Sequence, residues 1–128
     1  MNKILLIALA VLLTPTMCMA QLVAIPYDQA AEHSLRSGQS LLVFVESDAC
    51  PPCIKMKAEV LEPMQLNGEL YGLIVTTVKV GPITEKIGGA SVTPTRIGYR
   101  RLDGQWKRYK MEGRQSIDRV RTFVKLLK

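Results

Sequence analysis

The pattern of apolar and polar residues divides the chain into short helices and strands. The unbroken apolar run 41–45 (LLVFV) predicts a strand buried on both faces, and residues 73–80 (LIVTTVKV) predict a second strand. Residues 27–37 have apolar side chains at helical spacing, and Gly38 after them is a typical helix end. The apolar positions of this helix are Ala30, Ala31 and Leu35. A further short helix is expected around 84–87, after the second strand.

A hairpin and a helix are predicted in the last third of the chain. Asp103-Gly104 separates two polar–apolar segments, 96–102 and 105–111, and Asp-Gly favours the positive φ angles of a type I′ turn. Residues 116–127 predict an amphipathic helix with Ser116 as its N-cap. Its apolar face contains Ile117, Val120, Phe123, Val124 and Leu127. This order of elements predicts an α/β fold, with helices on both faces of a central mixed sheet.

The first twenty residues have the features of a secretory signal peptide. Lys3 provides a positive start, residues 4–13 (ILLIALAVLL) are apolar, and Cys18-Met19-Ala20 places small residues where a signal peptidase cleaves. A membrane anchor is the alternative, but a spanning helix needs about 20 apolar residues, and Pro15 interrupts this run. A lipoprotein attached through Cys18 is a weaker alternative, because the residues before that cysteine fit lipidation poorly.

Cleavage after Ala20 leaves a domain that spans residues 21–128. The chain has 128 residues, 48% of them hydrophobic and 22% charged, which suits one folded domain and excludes a disordered chain. The predicted destination is a bacterial periplasm, favoured over secretion to the medium or membrane anchoring. Of the three cysteines, Cys50 and Cys53 remain after cleavage as an even pair.

The Cys50-Pro51-Pro52-Cys53 motif lies between the strand 41–45 and a helical stretch with Met56, Val60 and Leu61 on one side. Proline is tolerated in the first turn of a helix, so Cys50 is expected at the helix N-terminus and exposed there. The helix dipole and free amides favour its thiolate, the form that attacks disulfides. Cys53, one turn later, is expected to be more buried and to resolve a mixed disulfide. Pro51 and Pro52 stiffen this loop.

A structural disulfide and a zinc site are the alternatives to redox chemistry for the two cysteines. A structural disulfide fits an exported protein, but it would close a very small loop and add little stability. A zinc site needs about four ligands, and the domain offers two cysteines and His33. We therefore predict no metal and no organic cofactor, and we expect His33 to be a surface or hydrogen-bonded residue.

The domain resembles a thioredoxin-fold protein over its whole length. The matching segments are the strand 41–45, the motif 47–53 (SDACPPC), the stretch 56–61 (MKAEVL) and residues 92–95 (VTPT). The resemblance is strongest to exported members of the family. It implies that the Thr93–Pro94 bond is cis, that this loop faces the cysteine pair, and that Thr93 and Pro94 bind the backbone of a protein substrate.

The sequence departs from thioredoxins at two positions around the motif. Ala49 replaces the usual tryptophan before the first cysteine, and Phe44 replaces the buried aspartate that accepts a proton near the second. Glu46, on the same face of the strand, is the candidate proton acceptor in its place, unless it is simply exposed. Asp48 beside the motif is expected to disfavour the Cys50 thiolate.

Positive charge is concentrated at the end of the chain. Residues 96–128 contain eleven Lys or Arg and three Asp or Glu, whereas residues 21–95 contain five and eight. The basic residues of the predicted hairpin are Arg96, Arg100, Arg101, Lys107, Arg108 and Lys110. A solvated hairpin is favoured over nucleic-acid binding, because export removes the chain from most nucleic acid. An anionic surface or acidic partner is the alternative for residues 96–110.

These observations predict an exported thiol–disulfide oxidoreductase that exchanges a Cys50–Cys53 dithiol or disulfide with protein thiols, or with a redox partner protein. Oxidation, reduction and isomerisation of substrates are all compatible with the motif. The alternative is a non-catalytic binding module that keeps the fold, a static disulfide and the basic hairpin.

Overall fold

The structure is a computed structural model that describes residues 24–88 and 92–128. The predicted signal peptide, residues 1–20, the first residues of the domain and Gly89 lie outside the described residues. Within the described ranges, no helix is long and apolar enough to span a membrane.

In the described ranges, five helices and four strands follow the predicted order, except that two helices divide the helical stretch predicted after the cysteine motif. The helices are α1 (Tyr27–Ser37), α2 (Pro51–Met56), α3 (Glu62–Leu66), α4 (Pro82–Lys86) and α5 (Ile117–Leu127). A π-helical turn, Lys57–Leu61, joins α2 to α3. The strands are β1 (Leu41–Glu46), β2 (Ile74–Lys79), β3 (Thr95–Leu102) and β4 (Gln105–Glu112).

The four strands form one mixed sheet in the order β2-β1-β3-β4. Strand β1 pairs in parallel with β2 and antiparallel with β3, and β3 pairs antiparallel with β4. The predicted Asp103-Gly104 turn is confirmed, with φ angles of 52° and 77° at its two central residues. Because β1 lies between two neighbours, its five leading residues are buried on both faces of the sheet.

Alternate residues of β1 point into two separate cores. Leu42 and Phe44 pack with α2, the π-helical turn and α5 on one face, in the core that also contains both cysteines. Leu41, Val43 and Val45 pack on the other face, which α1 and α4 cover. This arrangement confirms the prediction of an α/β fold with helices on both faces of a mixed sheet.

The π-helical turn follows from Pro63 in the first turn of α3. Proline has no N–H to donate to the carbonyl of Glu59, and its ring crowds the preceding turn. The chain widens there, and the N–H of Glu62 donates to the carbonyl of Lys57, five residues back. The widened helix still buries Val60 and Leu61, as predicted.

Outside the cysteine motif, two sequence predictions of burial are wrong. Leu35, predicted on the apolar face of α1, is 65% exposed, whereas Ser34 is buried and donates its hydroxyl hydrogen to the carbonyl of Gln39. Arg96, predicted on the solvated basic hairpin, is 0% exposed. The hydrogen bond allows the small Ser34 side chain to be buried, and Arg96 lies at the buried start of β3.

Candidate redox site at the start of α2

Cys50 and Cys53 form a disulfide across the first turn of α2, with their Cα atoms 5.2 Å apart. Cys50 is the N-cap of the helix, and its Sγ accepts a hydrogen bond from the N–H of Cys53 at 3.3 Å. The preceding residue, Ala49, has a φ of 49°, which turns the chain from β1 into α2. The position predicted from the strand-to-helix junction is therefore confirmed.

The two prolines explain why the Cys53 amide is directed at Cys50. Pro51 and Pro52 occupy the first turn of α2 and have no N–H. Cys53 is consequently the first residue of the helix that can donate a backbone hydrogen bond, and Cys50 Sγ accepts it. A helix N-terminus also favours negative charge, so this arrangement supports a thiolate on Cys50.

Cys50 is more enclosed than the sequence predicts. Cys50 is 8% exposed and Cys53 1% exposed, whereas the helix N-terminus alone predicts an exposed first cysteine. The loop around Thr93 accounts for the difference, because it places a hydroxyl group and the buried Pro94 beside the motif. The predicted order still holds, with Cys53 the more buried of the two.

The loop at Thr93 and Pro94 faces the disulfide, and the peptide bond between these residues is cis. Thr93 Oγ1 lies 2.8 Å from Ser47 Oγ and 3.6 Å from Cys50 Sγ. The carbonyl of Pro94 accepts a hydrogen bond of 2.8 Å from the N–H of Gly113. The structure therefore brings together Cys50 and a loop more than forty residues later in the chain.

Glu46, the candidate proton acceptor, is held in an ion pair. Its Oε2 lies 2.5 Å from Lys57 Nζ, and both side chains are largely covered. Lys57 Nζ also lies 5.9 Å from the ring centroid of Phe44, the residue at the position of the thioredoxin aspartate. The carboxylate is therefore on the same face of the sheet as the cysteines, but it is already neutralised by a cation.

The effect of Asp48 on the motif is offset by a neighbouring cation. Lys79 Nζ donates a hydrogen bond of 2.6 Å to Asp48 Oδ1. This hydrogen bond raises the pKa of the Lys79 ammonium above its ordinary value. Because both groups are exposed, water screens the pair, and Asp48 is a weak influence on Cys50.

Arg96 is the residue of this face whose position the sequence prediction missed. Its Nη2 donates to the carbonyls of Met111 at 3.2 Å and Gly113 at 2.8 Å. Among the described residues, its Nε and Nη1 have no hydrogen-bond partner. Burial lowers the pKa of the guanidinium to about 10, so it remains charged at neutral pH. The available signal was its place two residues after Pro94, in a strand expected to adjoin the buried run 41–45.

The rest of the basic hairpin is solvated, as predicted. Arg101, Lys107 and Arg108 are exposed, and Arg100 donates a hydrogen bond to the carbonyl of Leu126 at 3.1 Å. Lys110 forms an ion pair with Glu112. In the described part of the chain, no group of three or more His, Cys, Asp or Glu side chains is placed to hold a metal ion.

The chain resembles known proteins in its structure. No family model matches the sequence, and no curated protein matches it. A thioredoxin from Thermus thermophilus is 22% identical with a TM-score of 0.67, over 83% of this chain and 86% of that one. Trxlp from Edwardsiella tarda is 27% identical with a TM-score of 0.64, over 77% and 95%.

A thioredoxin from Trichomonas vaginalis is 14% identical and has a TM-score of 0.62, over 83% of this chain and 95% of that one. Each likeness covers most of both chains. These likenesses show that the chain has a thioredoxin-like fold, with the Cys50–Cys53 disulfide at the start of α2.

Proposed function

We propose that the chain is an exported thiol–disulfide oxidoreductase that exchanges its Cys50–Cys53 pair with protein substrates or a redox partner protein. The thioredoxin-like fold with a CXXC pair supports thiol–disulfide oxidoreductase activity in general. The observation that carries the proposal is the position of Cys50 Sγ. It accepts the Cys53 amide at the helix start and lies beside the Thr93 hydroxyl.

The exchange has two steps. A thiolate of a dithiol substrate attacks Cys50 Sγ, which forms a mixed disulfide and releases Cys53 as a thiolate. The second substrate thiolate then attacks the substrate's own sulfur in the mixed disulfide and releases Cys50. The substrate loses two electrons and two protons, and the Cys50–Cys53 pair gains them. The same steps in reverse reduce a substrate disulfide, with Cys50 as the attacking thiolate and Cys53 as the resolving thiol.

Thr93 and Pro94 are proposed to bind the substrate backbone next to Cys50. The resemblance to thioredoxins suggests this role, and the distance of 3.6 Å from Thr93 Oγ1 to Cys50 Sγ supports it. Glu46 is proposed to accept the Cys53 proton when the mixed disulfide is resolved. Its carboxylate is on the cysteine face of β1, and Lys57 holds it in place.

Export is proposed from the sequence of residues 1–20. The short basic start, the apolar run and the small residues before Gln21 are typical of a cleaved signal peptide. The periplasm is the compartment in which such a protein would meet substrate thiols without a cytosolic reducing system. The N-terminal sequence of the protein recovered from a periplasmic fraction tests this proposal, with cleavage after Ala20 as the expected result.

Single-cysteine variants test the activity. The wild-type chain is expected to oxidise a reduced test protein or reduce a disulfide one, and Cys50→Ser is expected to eliminate both reactions. Cys53→Ser is expected to accumulate a mixed disulfide through Cys50, visible on non-reducing gels. Turnover retained by Cys50→Ser would refute the assignment. Cys18→Ser is the matched control, because it removes a cysteine outside the motif.

The alternative is a binding module with a static disulfide, and the low exposure of Cys50, 8%, favours it. The two functions differ in how readily the disulfide is reduced. Structural disulfides have reduction potentials below about −300 mV, whereas redox-active pairs of this superfamily have values of about −270 to −120 mV. Equilibration with glutathione and thiol trapping therefore decides between them.

A further inference from the structure

Arg96 is a buried cation without a counter-ion in the described structure. It is fully covered, and its hydrogen bonds go to two uncharged carbonyls, those of Met111 and Gly113. Its Nε and Nη1 have no partner among the described residues. An unpaired charge in a protein interior destabilises the fold. The burial of Arg96 therefore suggests a functional role that offsets this cost.

The position of Arg96 in the sheet places it on the cysteine face. It is opposite Phe44 of β1 and Met111 of β4 in the antiparallel register. Phe44 and Met111 both belong to the core that contains Cys53. Residue 98, two positions along β3, faces Leu127 of α5 on this same side. The guanidinium therefore shares a low-dielectric face of the sheet with both sulfurs.

A positive charge on this face would favour the opening of the disulfide. When a substrate thiolate attacks Cys50, the Cys53 sulfur leaves as a thiolate, and Cys53 is 1% exposed. Burial alone makes such an anion unfavourable. In general, a unit positive charge roughly 10 Å from an anion favours the ionised form about tenfold at an effective dielectric constant of about 20.

Most other charged side chains around the site are paired or exposed, and Glu62 on α3 is half-buried. Each ion pair has no net charge, and the exposed pairs are screened by water. The pairs are Glu46 with Lys57, Asp48 with Lys79, and Glu59 with Arg114. On the surrounding elements, Lys55, Arg119 and Lys125 are exposed, and Asp118 and Glu69 pair with Arg121. Arg96 is thus the buried charge without a described counter-ion on this face.

We propose that the Arg96 guanidinium offsets the negative charge of the departing Cys53 thiolate and thereby biases the pair toward accepting electrons from dithiol substrates. Stabilising the leaving thiolate speeds attack on the disulfide and stabilises the reduced form, the property that makes a pair an oxidant. This inference rests on the proposed oxidoreductase function and assigns its direction. Arg96 is a positioning residue, because it acts on the reaction through Cys53.

Equilibration with glutathione tests the proposal. All proteins carry Cys18→Ser, so that the Cys50–Cys53 pair alone exchanges. Arg96→Gln removes the charge but keeps a side-chain donor, and Arg96→Lys keeps the charge. We expect Arg96→Gln to favour the disulfide form at least tenfold, which corresponds to about 30 mV, and Arg96→Lys to stay within threefold of the parent protein. Arg101→Gln is the matched control, since it removes an exposed arginine of the same hairpin and is expected to have no effect.

A folded Arg96→Gln variant within twofold of its parent would overturn the inference, as would an equal shift in Arg101→Gln. If the parent protein itself fails to exchange with glutathione, the oxidoreductase function fails as well. If the parent exchanges and the variant does not shift, only the role of Arg96 fails.

A second measurement needs no substitution at Arg96. In Cys18→Ser/Cys50→Ser, Cys53 is the sole cysteine, and its thiolate is followed by ultraviolet absorbance against pH. We expect half-ionisation below the ordinary thiol value of about 8.5, because the guanidinium outweighs burial. Half-ionisation above that value would overturn the proposal even if every Arg96 variant failed to fold.

Discussion

Arg96 and Phe44 are direct cross-strand partners in the antiparallel pair β1–β3. This pairing places a buried cation opposite Phe44. Phe44 occupies the position where thioredoxins carry a buried aspartate. Lys57 Nζ lies 5.9 Å from the centroid of the Phe44 ring. The surroundings of the cysteines are therefore more positive than a carboxylate at residue 44 would make them.

Replacing Arg96 by methionine is expected to stabilise the oxidised protein. Burial lowers the pKa of Arg96 well below its ordinary value, to about 10, so burying the charge costs about 3 kcal/mol. Two lost hydrogen bonds offset part of this gain, at about 1 kcal/mol each. The net expectation is an increase of about 1 kcal/mol in the free energy of unfolding, and a Tm several degrees higher.

The lowered pKa of Arg96 also determines how the stability of the protein changes with pH. Between pH 10 and 12.5 the unfolded chain binds more protons at Arg96 than the folded chain does, so this group contributes stability as the pH rises. Below about pH 10 its cost is constant, and the advantage of Arg96→Met at pH 7 and pH 8 should be equal. Calorimetry checks this, with Arg101→Met as the exposed control. A lower Tm for Arg96→Met would show that its hydrogen bonds dominate.

Thr93→Val should slow disulfide exchange with little loss of stability. Valine keeps the shape of the side chain but removes the hydroxyl group that lies 3.6 Å from Cys50 Sγ and 2.8 Å from Ser47 Oγ. One lost hydrogen bond to a developing thiolate corresponds to about a tenfold effect on rate. The rate of Cys50 alkylation in the reduced protein measures it. Ser47→Ala is the control, because it leaves the Thr93 hydroxyl in place, and an equal effect of both would argue against a direct role.

Glu46→Gln should slow the second step of substrate reduction, in which Cys53 attacks the mixed disulfide. Glutamine keeps the size of the side chain but cannot accept a proton at neutral pH. We expect a decrease of about 10²-fold or more, the usual contribution of a general base. Single-turnover release of substrate from the mixed disulfide measures this step. Lys57→Met breaks the same ion pair but leaves the carboxylate, so an equal slowing in both variants would indicate a structural role only.

Gly98→Ala should destabilise the protein through Leu127. A Cβ at residue 98 would contact both Cδ atoms of Leu127, with Cδ1 at 2.8 Å and Cγ at 3.1 Å. Because Leu127 is buried under the last turn of α5, the expected cost of overpacking is about 1–3 kcal/mol. Leu127→Ala alone should cost about 2–5 kcal/mol.

The double variant Gly98→Ala/Leu127→Ala separates a steric effect from a backbone one. If the contact with Leu127 causes the loss, the double variant should be at least 0.5 kcal/mol more stable than the two single losses predict together. Urea denaturation of the four proteins measures the coupling. Strict additivity would show that the glycine is needed for another reason.

Glu69→Gln should lower stability at neutral pH but not in acid. Arg121 Nε donates a hydrogen bond of 2.6 Å to Glu69, which lowers the pKa of the carboxyl group below its ordinary value of 4.5. The folded chain therefore releases this proton more readily than the unfolded chain. The resulting stability is present above pH 4.5 and is lost as the pH falls through the lowered pKa.

Urea midpoints at pH 7 and pH 3 check this expectation. The midpoint of Glu69→Gln should be below the wild-type value at pH 7, and the two should converge at pH 3. Glu62→Gln on α3 is the control, because it removes a carboxylate that is not the partner of Arg121. A difference that persists unchanged at pH 3 would assign the effect to packing rather than to charge.

The sequence alone determined the elements that depend on neighbouring residues. The bounds of α1, the Asp103-Gly104 turn and the N-cap of α5 follow from local rules, and the structure has them where they were predicted. The buried strand β1 also follows, because a continuous apolar run between polar segments is stable only when covered on both faces. The CPPC motif at the start of α2 needed no more than the order of strand, motif and helix.

Only the tertiary structure decided which side chains share a face of the sheet. The pairing of β1 with β3 placed Arg96 opposite Phe44, although fifty-two positions separate them in the chain. Packing likewise buried Ser34 instead of Leu35 and placed Thr93 over Cys50. These outcomes depend on strand register and on contacts between distant segments. A local pattern of apolar and polar residues carries no information about them, because burial is a property of the assembled layers.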